Sequence, residues 1–511
     1  MRKARYLLVA IAMVLGLATS ACGPSGKAPT TFAEGDVGSP SNVTPPLALP
    51  GAGSDISALI YQGLVASAPD DQYLPALASS WQVESGGSKY VFQLRQGVRW
   101  ADGKPLTSAD VTFGYHSLAT DGLASLQAEW SGITVTAVGL YAVAFDLPAP
   151  SANFLRLVTA GIMPAAAYPH GYNPLKSVGL FGTGPYQLPT LAAGATSATL
   201  VVNPWYRPRP HFRRIVFHFY SSSQAAFSAL QGGDIQGLGQ LSAVQATAVR
   251  HAANLRLYQA QTYTSVALLM NLQARQLYLR NLQVRQAIFD AISISQLIGK
   301  DLGGYARPAP TAVPPSVWSS ISAALPPGNP LEAEKTLAQT PYGANAHKQS
   351  AVTLDLVAAN EYPYTALARS LASMLTKATM TVKVQLMSPV SLVGRLESGN
   401  FDLALVAYDI GPDPDEYGLW SSTQMPPRGD NFSRLNDPFI DGYLSSGRKQ
   451  LDPSVRAQIY AQFQQAMAAD LPAVFLLQPQ YLYAVSRQVK GVSLPVSLEP
   501  QQRFATIARW R

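Results

Sequence analysis

Three carboxylates, Asp409, Asp413 and Asp415, fall in the stretch Tyr408-Asp409-Ile410-Gly411-Pro412-Asp413-Pro414-Asp415. Paired carboxylates hydrolyse glycosides when they flank the scissile bond from opposite sides. Asp413 and Asp415 stand two positions apart in a proline-interrupted loop, which does not give that geometry and suits turn capping instead. No other catalytic constellation is present: there is no G-x-S-x-G. The single cysteine, Cys22, allows neither an intramolecular disulfide nor a thiolate metal cluster. His116, His170, His211, His218, His251 and His347 match neither HExxH nor another common metal spacing. The expectation is no enzymatic activity, and no metal and no cofactor of the chain's own. Arg428 or Arg434 would suit a ligand carboxylate by bidentate pairing, with a solvated surface role as the alternative. Tyr186, Tyr408 and Trp420 are candidate cleft aromatics, with core packing as theirs.

Ligands bind outside the carboxyl ends of strands in open α/β sheets, so the elements around residue 408 matter. Val352–Val357 reads as a strand, Pro363–Lys377 as a helix, Val382–Leu386 as a strand, Ser391–Ser398 as a helix and Phe401–Tyr408 as a strand apolar on both faces. That alternation predicts a parallel sheet covered on both sides. Asn281–Ile298 reads as one helix, with Val284, Ile288, Ala291 and Ile292 as its apolar stripe; residues 307–330 read as a proline-rich loop. The last long helix, capped by Asp452-Pro453, aligns Val455, Ile459, Phe463 and Met467. The chain is expected to leave a first lobe near residue 268 and return near 481, giving two lobes with a cleft between them.

Earlier in the chain, Tyr90, Phe92 and Leu94 alternate with Val91, Gln93 and Arg95, Asp102-Gly103 makes a turn, and Thr107 caps a helix carrying Val111, Tyr115 and Leu118 on one face. The wording is more specific than the pattern. Phe-x-Leu-Arg-x-Gly-Val-x-Trp-x-Asp-Gly-x-Pro-Leu-Thr-Ser-Ala-Asp-Val, from Phe92, closely resembles the signature of the family 5 extracellular solute-binding proteins, the oligopeptide-, dipeptide- and nickel-binding components of bacterial ABC importers. Gly182-Thr183-Gly184-Pro185-Tyr186, Asn203-Pro204-Trp205-Tyr206, Gly232-Gly233-Asp234-Ile235 and Val284-Arg285-Gln286-Ala287-Ile288 resemble further words of that family, in the same order. The Asp-Arg that usually follows the last of these is replaced by Ser293-Ile294.

The resemblance implies an α/β, two-lobed Venus-flytrap fold of class II. Its first lobe would hold residues 51–268 plus 482–511, with a subdomain inserted at about 54–180, and its second lobe residues 269–481. It implies a peptide, or alternatively a nickel chelate, oligosaccharide or other solute, engulfed on lobe closure and handed to an ABC permease and ATPase. An extracellular sensor or chaperone of the same fold is the other reading. In peptide-binding relatives an aspartate three residues before an Asp-Pro pairs with the ligand's α-amino group. Here that position is Ile410, and Asp409 stands one earlier. Either a one-residue shift lets Asp409 serve, or no peptide amine is held in this way. The Asn431-Phe432-Ser433-Arg434 element and Trp420 resemble pieces lying near the relatives' pocket. Contacts would fall mainly on the ligand backbone.

The first 21 residues read as an export signal, basic and then apolar from Tyr6 to Ala18, too short for a span of about 20 residues. Thr19-Ser20-Ala21-Cys22-Gly23 resembles a lipoprotein processing site, making Cys22 the lipid-bearing first mature residue, with Thr19 where leucine is usual. Residues 22–50 then read as a tether entering the fold. The expected location is outside the cytoplasm, at the outer face of the membrane or in the periplasm, as a monomer. Formal charge is +7, or +4 without Arg2, Lys3 and Arg5, and no basic block supports nucleic-acid binding.

Overall fold

A computed structural model of the chain describes residues 30–67, 72–168, 171, 180–343 and 352–511. The expected export segment Met1–Ala21 and Cys22 lie outside the described residues.

The first strand, β1 (Thr31–Val37), falls where the sequence suggested a tether. It pairs in parallel with residues 214–220 on one edge and 237–238 on the other. Glu34 and Asp36 break the apolar alternation that would have marked it. Glu34 is nevertheless fully buried, because the Nε and Nη2 of Arg503 reach its Oε1 at 3.1 and 2.9 Å.

After α1 (Ala52–Ile60) the chain builds a subdomain from β2 (Ala78–Glu84), β3 (Lys89–Leu94), α2 (Ser108–Asp121), β4 (Thr134–Gly139) and β5 (Ala142–Asp146). Its strands form a separate antiparallel sheet in the order β2-β3-β5-β4. The α2 capping box is present, Thr107 N–H donating to Asp110 Oδ2 at 2.9 Å. Tyr115, Trp130, Phe92 and Phe145 fill the core of this unit.

The first lobe's sheet continues with β6 (Ser197–Val202), β7 (Arg214–Tyr220), α3 (Ser223–Gly232), β8 (Gly237–Leu238) and β9 (Leu255–Gln261). The second lobe holds β10 (Thr264–Met270), α4 (Leu282–Ala291), β11 (Ala306–Pro308), β12 (Thr353–Ala359), α5 (Tyr364–Lys377), β13 (Thr381–Met387), α6 (Pro389–Ser398), β14 (Leu403–Asp409), α7 (Pro438–Lys449) and α8 (Pro453–Asp470). The last strand, β15 (Ala473–Ser486), serves both lobes. Residues 473–477 pair with β10 and residues 480–486 with β9. A single strand path, β13-β12-β14-β10-β15-β8-β1-β7-β6, therefore runs through the molecule.

β12, β13 and β14 are parallel, as the β-α-β-α-β reading required. Their two faces carry separate cores, one with Leu354, Leu356, Leu403 and Leu405, the other with Val357, Ala404, Phe475 and Trp420. The strand partners change at Thr262–Tyr263, between β9 and β10, and again around Pro479 in β15, whose carbonyl accepts from the Thr262 hydroxyl at 2.8 Å. The apolar run of β10 does not reveal which lobe's core it serves.

Two helices differ from their sequence reading. α4 ends at Ala291 because Ile292 turns extended (φ −89°, ψ 130°) and Ser293 bridges to Pro327. In α8 the buried stripe is Arg456, Tyr460, Phe463, Gln464 and Met467, with Val455 exposed. Turning the helix this way brings Arg456 to Asp413.

Candidate functional site

β14 delivers its carboxyl end, Asp409, to the junction of the two lobes. Its neighbour on one edge is β10, from Thr264↔Asp409 to Met270↔Leu403. On the other edge β12 pairs only with Leu403–Leu405. Residues 406–409 are thus sheet-paired on one edge alone. Asp409 is exposed. Its Oδ2 accepts from the Thr264 hydroxyl at 3.0 Å and its Oδ1 from the Gly411 N–H at 2.8 Å. Protein surrounding the cleft wall pushes its carboxyl up from the ordinary aspartate range, against those two donors and the Arg156 guanidinium.

Two residues the sequence did not single out face Asp409 from other parts of the chain. A side-chain carbon built on Gly411 would sit 3.7 Å from the Cδ of Arg156 and 3.7 Å from Oε1 of Glu499. Arg156 comes from the subdomain and is paired with Glu129 at 2.8 Å. Glu499 comes from the C-terminal segment; burial and then Asp409 raise its pKa. Sequence reading had no route to either, since they lie far from residue 409 along the chain and in no motif. The lobes also touch where Ala152 N–H meets the Arg448 carbonyl (2.8 Å), and where Ala243 N–H meets the Tyr362 hydroxyl (3.3 Å).

Asp413 and Asp415 hold the loop in shape. Arg456 grips Asp413 with two bonds of 2.7 Å, both partners buried, and Asp413 Oδ1 also accepts from Asp415 N–H at 3.0 Å. Asp415 pairs with Arg448 Nε at 3.0 Å and accepts from Tyr417 N–H.

Tyr408 and Trp420 stand beside this loop, their rings edge to face at 6.3 Å, and both line a cavity of about 400 Å³ in the second lobe. The Tyr408 hydroxyl donates to the Ala312 carbonyl at 3.0 Å. Trp420 donates its indole N–H to Glu416, whose carboxyl burial pushes up to about 8.

Three expected positions are placed elsewhere. Tyr186 is fully buried in the first lobe, its hydroxyl donating to the Phe212 carbonyl at 3.0 Å, so it is a core residue and not a cleft aromatic. Asn431 is also fully buried: its Nδ2 donates to the carbonyls of Trp420, Ser421 and Leu435 and its Oδ1 accepts from Leu435 N–H. It ties the loop together and presents nothing to a ligand. Arg434 donates to the Glu397 carbonyl at 2.9 Å, beside Gly399, at the amino end of β14. At about 3.3 Å per residue that is roughly 20 Å from Asp409. Arg428 is exposed.

Residues 72–429 match the profile of the bacterial extracellular solute-binding proteins, family 5 Middle. The chain belongs to that family. Among curated family 5 relatives, the oligopeptide-binding protein AppA of Bacillus subtilis is 23% identical over 548 residues, covering 100% of this chain and 99% of AppA. The probable D,D-dipeptide-binding periplasmic protein DdpA of Escherichia coli is 24% identical over 452 residues, covering 85% and 84%. NikZ from Campylobacter jejuni, solved in complex with Ni(L-His), superposes with a TM-score of 0.80 at 20% identity, over 94% of this chain and 99% of that one. Such likenesses carry the two-lobed α/β fold. Among the described residues no helix is long and apolar enough to cross a membrane, and no group of three His, Cys, Asp or Glu is placed to hold a metal ion.

Proposed function

We propose that this family 5 protein captures short peptides between its lobes, without chemical turnover, and delivers them to an ABC permease and ATPase. The observation that carries the reading is the half-paired edge of β14 at 406–409 ending in Asp409. An extended peptide adds to such an edge through main-chain hydrogen bonds, and a carboxylate at its end suits the peptide's ammonium group. Arg156 and Glu499 lie across the junction, so a ligand there meets both lobes together. Closure then follows from its differential affinity for the closed state. The names of the relatives AppA and DdpA, which refer to oligopeptides and D,D-dipeptides, favour the same ligand class. On this reading the amine pairs with Asp409 and Ile410 is packing.

Calorimetry tests the reading. Tri-alanine should bind the parent chain, and Asp409→Ala should weaken it by about 2–5 kcal/mol, the usual cost of removing one partner of a desolvated charge pair. An unchanged Kd in the variant would remove Asp409 from the site. Attachment to the outer face of the membrane through a lipid on Cys22 belongs to the same proposal. Cys22→Ser should move the protein from the membrane fraction to the soluble one, and mass spectrometry of the parent should show the added diacylglyceryl group.

A further inference from the structure

The cavity of about 400 Å³ beside Tyr408 lies wholly within the second lobe. Over it α6 packs by Leu392 and Leu396 alone of its ten residues, while Val390 is 84% exposed and Val393 49%. Leu392 and Leu396 line it together with Trp420 and Phe432. Ala359 and Ala407, at the carboxyl ends of β12 and β14, line it too, Ala407 two residues before Asp409 on the same strand. There the two strands have parted, since their pairing stops at Ala358↔Leu405. The exposed carboxylates of Glu361 and Asp430 complete the lining.

We infer that this cavity is a specificity pocket for one bulky apolar side chain, aromatic or branched aliphatic, of the bound peptide. The inference rests on the peptide reading above and adds a preference to it. A peptide lying along 406–409 projects successive side chains to opposite faces of the sheet, so a side chain on the α6 face enters this space directly. The pocket opens to solvent on one side, and its volume of about 400 Å³ with a largely apolar lining has room for an indole or benzyl group and its approach. Glu361 and Asp430 repel an acidic side chain and leave a neutral one unopposed. Side-chain pockets that are merely wet would give no such preference.

The test uses the full chain and four probes: Ala-Ala-Ala, Phe-Ala-Ala, Ala-Phe-Ala and Ala-Ala-Phe, each titrated by calorimetry. One of the three phenylalanine peptides should bind at least tenfold more tightly than tri-alanine. Leu392→Phe, which fills the pocket from the α6 side, should shrink that ratio to within about threefold. Leu396→Phe fills it one turn further along and serves where the first variant fails to fold. Equal affinity for all four peptides overturns the pocket and leaves peptide capture standing. A ratio that survives both filling variants places the preference elsewhere and also overturns it. Binding of none of the four overturns the peptide reading and the pocket together.

Discussion

Each lobe buries an arginine among carboxylates, and the two clusters are built to different charge balances, acid in excess in the first and matched pairs in the second. In the first lobe Arg503 faces three acids: it holds Asp55 through two bonds of 2.7 Å, reaches Glu34 at 2.9 Å, and has Asp36 at 3.9 Å. In the second lobe Arg456 matches Asp413 one to one, and Arg448 does the same for Asp415. Buried carboxylates in excess can relieve their repulsion by taking up protons, whereas a guanidinium stays charged at any ordinary pH. The first cluster shows that relief. Burial, outweighing Arg503, raises Glu34 to about 7; burial, with Asp55 next, raises Asp36 to about 8. The first lobe's acid-rich cluster is therefore pH-responsive, as Glu416 is beside Trp420 in the second lobe. The Arg456–Asp413 pair is the fixed mount for the loop that carries Asp409.

Arg503→Met is the strongest way to break this contrast. At about pH 8 it strands three buried carboxylates and should cost about 3–5 kcal/mol in urea denaturation, with part of the loss recovered at about pH 5 as the acids protonate. Asp413→Asn removes the charge partner of Arg456 and should cost about 2–4 kcal/mol. It should show no recovery in acid, because the stranded group cannot lose its proton. Equal acid recovery in both variants would erase the distinction. The mildest probe sharpens it. Glu34 and Asp36 have folded-state pKa values above their unfolded ones, so the folded state holds more protons between about pH 4.5 and 8. Their contribution to stability is present below that window and lost as pH rises through it. Tm should fall from about pH 5.5 to 8.5, and Glu34→Gln should flatten that slope.

What could be read in advance followed from how locally each feature is encoded. The alternation from β12 to β14 was legible because the apolar positions of each strand and helix are locally spaced and fall within a residue or two of the elements' true ends. β1 was not, because its buried polar groups are matched by Arg503, which no local pattern announces. The family words were legible as words, yet several are joints of the scaffold and not ligand contacts. Gly182 and Gly184 are glycines because a Cβ would come 2.0 and 2.7 Å from the Ile60 carbonyl oxygen, and Asn203 donates to the Gly184 carbonyl at 2.9 Å. Tyr186 and Asn431 stand in such words and inherit their structural duty. Asp409 could be named because it stands one residue from the position at which the family's peptide-binding members carry an aspartate, not from its own turn geometry, since it caps Gly411 N–H as Asp413 caps Asp415 N–H. Arg156 and Glu499 meet it only through tertiary folding.

The strand shared by both lobes also constrains the order of assembly. β1 lies at the centre of the first sheet, and the partners that complete that sheet and neutralise Glu34 are β15 and Arg503, the latter 469 positions further on. The second lobe, made of residues that are contiguous between the two crossings, can fold as soon as it has been synthesised. The first lobe stays open at its core until Arg503 has emerged, so a chain cut before Arg503 loses the lobe that β1 begins.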